Sequence, residues 1–541
     1  MNKRTLTGLS ILSGVLLALP WHDHFSGLII TIAFLPLLII EDHLYKSKDK
    51  NSHFDLIKFS SLSFLIWNII ATYWIKNSDF VAAIVVILTN TCFMSITFGL
   101  FHLTKKKFGN KTGNFSFIFY WISFEYIFLN THLTWPWLNL GNAFAKDLKI
   151  IQWYEYTGVF GGTLWILILN LFLFKALKTY SQDRNHRVYL TKGFFYILAL
   201  AVPILFSINI FNNYIEKGND IKIALLQPNL DPYNAKYNIP QKQQTQLILN
   251  LADSIIDKDT DYVIAPETAI SFPIWEHNLI SDSSIISIKE FVNKHPNISF
   301  IIGASTYKEI SNIEDATVTT KYNEKEKIHY NINNTALQID TTNKIPSYYK
   351  SKLVSGVETM PFIHLFGFLE KFIIDFGGVS GILGTQEERE VFKNSISDIK
   401  IAPVICYESA FGEHVSDYVK KGANLIFVIT NDGWWGNTPS YRQHLRLSQL
   451  RAIETRRSVA RSANTGLSAF INQRGEIINN TEWWKRTAIK GSLKPNTQYT
   501  FYVKNGDFIG RISLFISIFL ILYTIVGHFI SNKKYKQHVS P

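Results

Sequence analysis

The chain contains an apolar run of strand length that ends in a thiol and a carboxylate: Ile401-Ala402-Pro403-Val404-Ile405-Cys406-Tyr407-Glu408. Short apolar runs bounded by polar residues predict buried strands. Comparable runs lie at 221–227, 262–267, 298–304, 334–339 and 424–430. Helix-like stretches lie at 240–257, 284–294, 412–421 and 441–457. This alternation predicts an α/β architecture in which helices cover the sheets.

Composition divides the chain of 541 residues into apolar and globular parts. Overall, 47% of the residues are hydrophobic and only 18% are charged. Residues 1–214 consist mostly of apolar runs, 215–500 have an ordinary globular composition, and 501–541 hold a last apolar run and a basic tail. We therefore predict a transmembrane domain, a water-exposed domain, and a final transmembrane helix with its tail.

The apolar runs are long enough, or nearly long enough, to cross a bilayer, which takes about 17–25 residues. They lie at 5–21, 26–41, 58–76, 80–103, 114–130, 160–177, 193–212 and 508–531. The first follows Lys3 and Arg4, as in a signal peptide, but no small-residue cleavage site comes after it. The sequence thus predicts about eight transmembrane helices, the first of them uncleaved.

The distribution of Lys and Arg predicts the orientation. The net charge is +12, and basic residues cluster in alternate short loops, at the start and in the tail. Basic loops stay in the cytoplasm. Both termini are then cytoplasmic, and the globular domain lies on the outer face of a cell inner membrane, in the periplasm. No basic, aromatic-interleaved groove motif accompanies the charge, which argues against nucleic-acid binding.

Three residues at or near strand ends could carry chemistry. Glu267 closes an apolar run, where partial desolvation favours a base. Lys350 could hold the charge that develops on a carbonyl oxygen. Cys406, the one thiol of the globular domain, could act as a nucleophile. Each also has a simpler interpretation: a helix N-terminal carboxylate, a surface lysine and an inert buried thiol. The scattered histidines lack ligand spacing, so no metal site is expected.

Together, and in this order, the three residues resemble the nitrilase superfamily. Glu267 lies in V-I-A-P-E-T, Lys350 in Y-x-K-x-x-L and Cys406 in V-I-C-Y-E. The resemblance implies an αββα sandwich with Glu as the base, Lys as the oxyanion stabiliser and Cys as the nucleophile. The second residue after the Lys is usually His, whereas here it is Lys352, which competes for the role of Lys350.

With its membrane helices, the chain resembles the apolipoprotein N-acyltransferases of bacterial envelopes. Further matching stretches are Trp135-Pro136-Trp137-Leu138, Gln227-Pro228-Asn229, Asn431-Asp432-Gly433-Trp434-Trp435-Gly436, Gln443-His444-Leu445, Arg451-Ala452-Ile453-Glu454 and Arg461-Ser462-Ala463-Asn464-Thr465-Gly466. Two stretches depart from the family pattern. The family's V-P-F-G-E is here Val354-Ser355-Gly356-Val357-Glu358, and Tyr237 stands where many members have Trp.

This resemblance implies a two-step acyl transfer. An acyl chain would move from a glycerophospholipid of the bilayer to Cys406 as a thioester, and then to the α-amino group of the N-terminal diacylglyceryl-cysteine of an apolipoprotein. Glu358 and Glu408 would orient the Lys and the base, and backbone N–H groups near Tyr407 would help to hold the oxyanion. The ester donor already carries the acyl energy, so no cofactor is expected.

Apolar residues near the site could form a lid over an acyl chain. Residues 359–383, which include Phe362, are too apolar for an exposed loop, and Trp434 and Trp435 follow a predicted strand. With Tyr237, they are candidates for substrate contact, although a core helix and ordinary core residues remain alternatives. Two rival functions also stay open: a membrane-tethered amidase that acts on a small C–N bond, and a transporter or scaffold with a degenerate domain.

Overall fold

The computed structural model describes residues 1–47, 51–131, 134–183, 186–359, 382–394 and 396–538. The chain forms two compact units. The first comprises residues 1–76, 80–213 and 507–541, and the second comprises residues 77–79 and 214–506.

The first unit is helical. Its helices in chain order are α1 (Lys3–Ala18), α2 (Ile30–Ala33), α3 (Leu35–Lys46), α4 (Ser52–Thr72), α5 (Phe80–Leu129), α6 (Tyr154–Asp183), α7 (His186–Asn213) and a last helix, Phe508–His538. Within the described residues, seven helical segments are long and apolar enough to cross a membrane.

Helix α5 is a hairpin of two membrane-length arms. Its 50 residues would extend about 75 Å as one rod, more than twice the roughly 30 Å of a bilayer's hydrocarbon core. Gly109 breaks the helix with a φ of 81°. The rings of Phe101 and Phe117 then lie 5.1 Å apart, which shows that the chain has turned back. When the arms are counted separately, the prediction of about eight helices is confirmed.

Two buried carboxylates hold separate parts of this unit together. Glu41 contacts Lys105 and lies 2.8 Å from Nδ1 of His102, which joins α3 to α5. Glu125 accepts hydrogen bonds from Trp121 Nε1 at 3.0 Å and from the backbone N–H of Leu140 at 2.8 Å. Apolar surroundings leave such groups without water, so each must be satisfied by protein donors.

The second unit contains two sheets. Its strands are β1 (Ile221–Gln227), β2 (Tyr262–Ile264), β3 (Ile270–Trp275), β4 (Ser299–Ile310), β5 (Lys321–Asn323), β6 (Ile328–Ile339), β7 (Ser347–Tyr349), β8 (Phe392–Lys393), β9 (Lys400–Ile405), β10 (Leu425–Thr430), β11 (Val459–Ala463), β12 (Ala469–Ile471), β13 (Ile477–Asn480) and β14 (Thr487–Leu493). One sheet has the order β14-β1-β2-β4-β6-β5, with β3 beside β4 and β7 beside β6. The other has the order β13-β12-β11-β10-β9-β8.

Side-chain alternation along the strands gives the first sheet two apolar faces. Ile223, Leu225 and Ile264 belong to one buried cluster together with residues of the second sheet. Their neighbours Ala224 and Val263 belong to another cluster, together with residues of the covering helices. The first sheet is thus buried on both faces.

The covering helices of this unit are α8 (Gln241–Asp253), α9 (Ser283–Lys294), α10 (Gly412–Lys420) and α11 (Ser440–Thr455), and the short α12 (Phe501–Asn505) precedes the last helix. Helices α8 and α9 supply apolar side chains to the cluster on the first sheet. Helices α10 and α11 supply them to the cluster that includes the second sheet. The predicted sandwich of sheets and helices is confirmed.

Strand β4 approaches the chain after β2 so closely that only glycine fits at position 303. A Cβ at Gly303 would lie 2.5 Å from the backbone N of Thr268 and 2.6 Å from Cα of Glu267. Both atoms are main chain, so neither can move aside as a side chain would. Gly303 therefore fixes where the segment 266–268 lies on the sheet.

We expect Gly303→Ala to lower the Tm of the purified protein, because overpacking of this kind costs about 1–3 kcal/mol. Thermal denaturation in detergent measures the change. The matched control is Gly8→Ala, since a Cβ there has no neighbour within 4 Å. Equal Tm values for the two variants would contradict the close approach.

Candidate active site

Glu267 follows β2 and is buried, with 6% of its surface exposed. Its Oε1 accepts a hydrogen bond of 2.9 Å from Nδ2 of Asn334, on the neighbouring part of the sheet. The next residue, Thr268, has a φ of 46°, so the chain turns sharply after the carboxylate. The carboxylate is thus buried and held in place by an ordered donor.

Lys350 directly follows β7, and its ammonium lies between two carboxylates. Nζ is 2.9 Å from Oε1 of Glu267 and 2.8 Å from Oε1 of Glu358. Burial alone would lower the pKa of Lys350, but the two carboxylates outweigh it and hold the pKa well above its ordinary value. The site therefore carries a permanent positive charge next to the Glu267 carboxylate.

Cys406 directly follows β9 and has a φ of 50°, which is uncommon for a residue with a Cβ. Its side chain is buried, and it interacts electrostatically with both Glu267 and Lys350. Burial and the Glu267 carboxylate raise the pKa of the thiol, while Lys350 opposes them. At rest the Cys406 side chain is thus a thiol, with a carboxylate and an ammonium group near it.

A buried polar network supports the main chain at Cys406. His444 Nε2 lies 3.2 Å from the Cys406 carbonyl oxygen and 3.0 Å from Oγ of Ser409. His444 Nδ1 lies 2.9 Å from Asp432, whose other carboxylate oxygen receives Arg461 at 2.7 Å. Arg461 and His444 hold the pKa of Asp432 well below its usual range, against the effect of burial. This chain of contacts holds the main chain of Cys406 in place.

Glu408 stabilises the two segments that carry Lys350 and Cys406. It accepts hydrogen bonds from Tyr348 Oη and the Ser351 N–H, both at 2.7 Å, and from the Ile405 N–H at 2.8 Å. Burial would raise its pKa, but His414 and these backbone donors bring the pKa of Glu408 down to about 2.

The two predicted supporting carboxylates therefore act at different distances from the reacting groups. Glu358 pairs directly with Lys350 and also accepts from the Val354 N–H at 2.9 Å. Glu408 acts on the residues flanking Lys350 and Cys406 rather than on Lys350 or Glu267 themselves, because its partners are their chain neighbours.

Lys352 and Tyr407 both lie near Phe411. The Lys352 ammonium is 5.2 Å from the centre of the Phe411 ring, and burial lowers its pKa. Tyr407 is buried with its ring 5.2 Å from that of Phe411. The carboxylates of Glu267 and Glu358 pair with Lys350, so the geometry favours Lys350 over Lys352 as the cation of the site.

The predicted substrate-contact residues are dispersed. Tyr237 lies beside Lys236, whose ammonium is 5.9 Å from its ring centre. Trp434 packs edge-on against Tyr233 at 5.1 Å, and Trp435 against His444 at 5.7 Å. Trp435 thus touches the network beneath Cys406. Phe362 and most of the apolar run 359–383 lie outside the described residues.

Sequence reasoning overlooked Asn334 and Lys236. Asn334 sits within a buried strand and binds the Glu267 carboxylate, and its backbone oxygen also accepts from the Lys350 N–H at 2.8 Å. Lys236 is buried against Thr268. Asn334 could have been found as a polar residue inside an apolar strand. No sequence feature of its loop points to Lys236. Among the described residues, no group of three or more His, Cys, Asp or Glu side chains could hold a metal ion.

Comparison with known families agrees with this geometry. Residues 222–500 match the carbon-nitrogen hydrolase family, and the chain belongs to that family. Residues 13–172 match the apolipoprotein N-acyltransferase N-terminal domain. The resemblance to apolipoprotein N-acyltransferases that the motifs indicated is therefore confirmed, as is the prediction of a membrane protein.

Relatives with that name extend over nearly the whole chain. The apolipoprotein N-acyltransferase of Chlorobaculum tepidum is 26% identical over 528 residues, 96% of each chain. The one from Borreliella burgdorferi is 27% identical over 544 residues, 97% of this chain and 96% of that protein. An amidase structure from Nesterenkonia sp. is 15% identical, covers 53% of this chain and 95% of its own, and has a TM-score of 0.35.

We expect the Cys406 thiol to remain protonated well above the pH at which a free cysteine ionises, about 8.5. The measurement is the ultraviolet absorbance of thiolate during a pH titration, as wild type minus Cys406→Ser. Cys92 is present in both proteins and cancels. A Cys406-dependent step near the pH of a free thiol would contradict the buried, anion-flanked environment.

Proposed function

We propose that this protein is a phospholipid:apolipoprotein N-acyltransferase that works through a thioester on Cys406. The observation that carries the proposal is the buried cluster in which Lys350 pairs with Glu267 and Glu358 beside the Cys406 thiol. The same chain contains membrane-length helices, which suit an enzyme whose acyl donor is a bilayer lipid. Relatives matching almost the full chain are named apolipoprotein N-acyltransferases.

In the first step, Glu267 takes the proton of the Cys406 thiol, and the sulfur attacks an ester carbonyl of a glycerophospholipid. The developing oxyanion is stabilised by the Lys350 ammonium and by backbone N–H groups near Tyr407. The tetrahedral intermediate then breaks its ester C–O bond. The leaving lysophospholipid oxygen takes the proton from Glu267, and the acyl chain remains on the sulfur as a thioester.

In the second step, the neutral α-amino group of a diacylglyceryl-cysteine attacks the thioester carbonyl. Glu267 accepts the amine proton as the C–N bond forms. The C–S bond breaks, and the proton returns from Glu267 to the Cys406 sulfur. The product is an N-acylated lipoprotein, and the enzyme regains its resting protonation state. No other energy source is required, because an ester is converted into a more stable amide.

The surrounding residues keep this geometry in place. Glu358 shares the Lys350 ammonium with Glu267, so Lys350 stays charged and oriented while Glu267 gains and loses a proton. His444 fixes the carbonyl of Cys406. We propose that Tyr237, Phe362, Trp434 and Trp435 contact the acyl chain or cover it.

The proposal includes a location. The excess of Lys and Arg in alternate loops favours cytoplasmic termini and a periplasmic globular unit. The acceptor amine belongs to a secreted lipoprotein, so a site on the outer face of the inner membrane meets its substrate there.

The proposed intermediate predicts an acyl adduct on Cys406. When the full-length protein in detergent is incubated with phosphatidylethanolamine, intact-protein mass spectrometry is expected to show the mass of one acyl chain. Cys406→Ala should abolish the adduct, and Glu267→Gln should slow its formation by about 10²–10⁴-fold, the usual contribution of a general base.

Cys92→Ala is the matched control and should form the adduct at the wild-type rate, because Cys92 lies on α5 in the other unit. Adding a diacylglyceryl-cysteine peptide should then discharge the adduct and yield an N-acylated peptide. An adduct that persists in Cys406→Ala would overturn the proposal. Release of ammonia from small amides, without any adduct from lipid, would instead identify an amidase.

The proposed orientation predicts which parts of the chain an external protease can cleave. In intact spheroplasts, external protease should cleave exposed loops of the globular unit, such as the segment around Ile313, which is 61% exposed. An epitope tag at the C-terminus should stay protected until the membrane is permeabilised. The reverse pattern would contradict the proposed orientation.

A further inference from the structure

Lys236 is a second buried lysine beside Glu267. It lies in the loop between β1 and α8, with 1% of its surface exposed. Its ammonium donates to the Thr268 hydroxyl and, at 3.3 Å, to the backbone oxygen of Glu267. The loop itself is fixed, because Gln244 Nε2 donates to the Lys236 backbone oxygen at 2.6 Å. The side chain is therefore built into the segment that presents the Glu267 carboxylate.

The hydrogen bonds of Lys236 do not by themselves compensate for burying its positive charge. Both acceptors are neutral oxygens, and taking an ammonium out of water is costly unless an opposite charge compensates. Burial lowers the pKa of Lys236 to about 8, and the Glu267 carboxylate acts in the opposite direction. Glu267 is thus the anion that favours a charged Lys236.

The titratable groups around Glu267 come from three segments. Lys350 lies after β7, Glu358 further along the same loop, Cys406 after β9, and Lys236 after β1. When the Cys406 thiol is neutral, the two ammonium groups of the lysines balance the two carboxylates of Glu267 and Glu358. Without the Lys236 charge, the same cluster would carry a net negative charge, which opposes formation of a thiolate and favours protonation of the base.

We propose that Lys236 is a positioning residue that anchors the Glu267–Thr268 segment and supplies the second positive charge that keeps Glu267 ready to accept the Cys406 proton. The inference rests on the proposed roles of Glu267 and Cys406. It assigns to Lys236 two separable tasks, a hydrogen-bond anchor and a charge. A structural anchor alone would require only the first.

The test compares Lys236→Gln, which keeps an N–H donor without the charge, with Lys236→Arg, which keeps both. Two rates are measured against pH in the full-length protein in detergent, in a Cys92→Ala background: Cys406 acylation by phosphatidylethanolamine and Cys406 alkylation by iodoacetamide.

Loss of the charge disfavours both the Glu267 carboxylate and the thiolate. The acidic limb of both profiles should therefore move up by about one pH unit in Lys236→Gln, the effect of one nearby charge. Lys236→Arg should keep the wild-type limb.

Lys242→Met is the matched control, because Lys242 is exposed on the following helix and its loss should leave the limb in place. If Lys236→Gln fails to fold by thermal denaturation, Lys236→Met is used, since it keeps the apolar stem without burying an amide. A reduced rate with an unmoved limb in the neutral variant would overturn the charge role of Lys236. A wild-type protein that forms no acyl adduct would refute the proposed function. The alkylation profile would still test the charge role of Lys236, because alkylation by iodoacetamide needs no lipid.

Discussion

The second unit depends on one buried ammonium shared by two carboxylates. Lys350 is 1% exposed, and its charge is tolerable only because Glu267 and Glu358 both lie within 3 Å. These residues come from segments far apart in the chain, so the first sheet must bring β2 and β7 to the same place. Asn334, on the strand that pairs with β7, binds both the Glu267 carboxylate and the Lys350 backbone. Asn334 thus helps to keep the strands of the first sheet in the register that brings Glu267 and Lys350 together.

The second sheet contributes the sulfur, and buried polar groups keep it in an unusual conformation. Ser409, His444 and Asp432 have the spacing of a hydrolase triad, at 3.0 and 2.9 Å, yet all three are fully buried. Ser409 donates to the Cys406 carbonyl at 2.8 Å, and His444 lies close to the same oxygen. This set therefore supports the backbone instead of attacking a substrate. Its role is to hold a residue with positive φ at the end of β9, a conformation that would otherwise be unfavourable.

Much of the fold could be predicted from hydrophobic patterning, because long buried strands and amphipathic helices leave a periodic signal. The predicted runs at 221–227 and 424–430 correspond closely to β1 and β10. Strand β7 was missed because three residues are too few to leave a pattern, and β3, β5, β8 and β11–β14 were not predicted either. For the site, Glu267 and Cys406 were recognisable at strand ends, and ordered motifs singled out Lys350. Lys236 could not be predicted, since a loop lysine becomes notable only when tertiary packing buries it.

Burial of Cys406 also affects how readily its thiol is oxidised. The thiolate is the form that oxidants attack, and its population falls as the thiol pKa rises. Burial and the nearby Glu267 carboxylate raise that pKa, so the resting sulfur is poorly reactive. In the proposed reaction, the proton moves to Glu267 while Lys350 stabilises the negative charge that develops on the substrate oxygen. On that proposal, the thiolate forms when an acyl group is in place to receive it. On that proposal, the arrangement that makes the thiol slow to react with small oxidants also couples its activation to a bound ester.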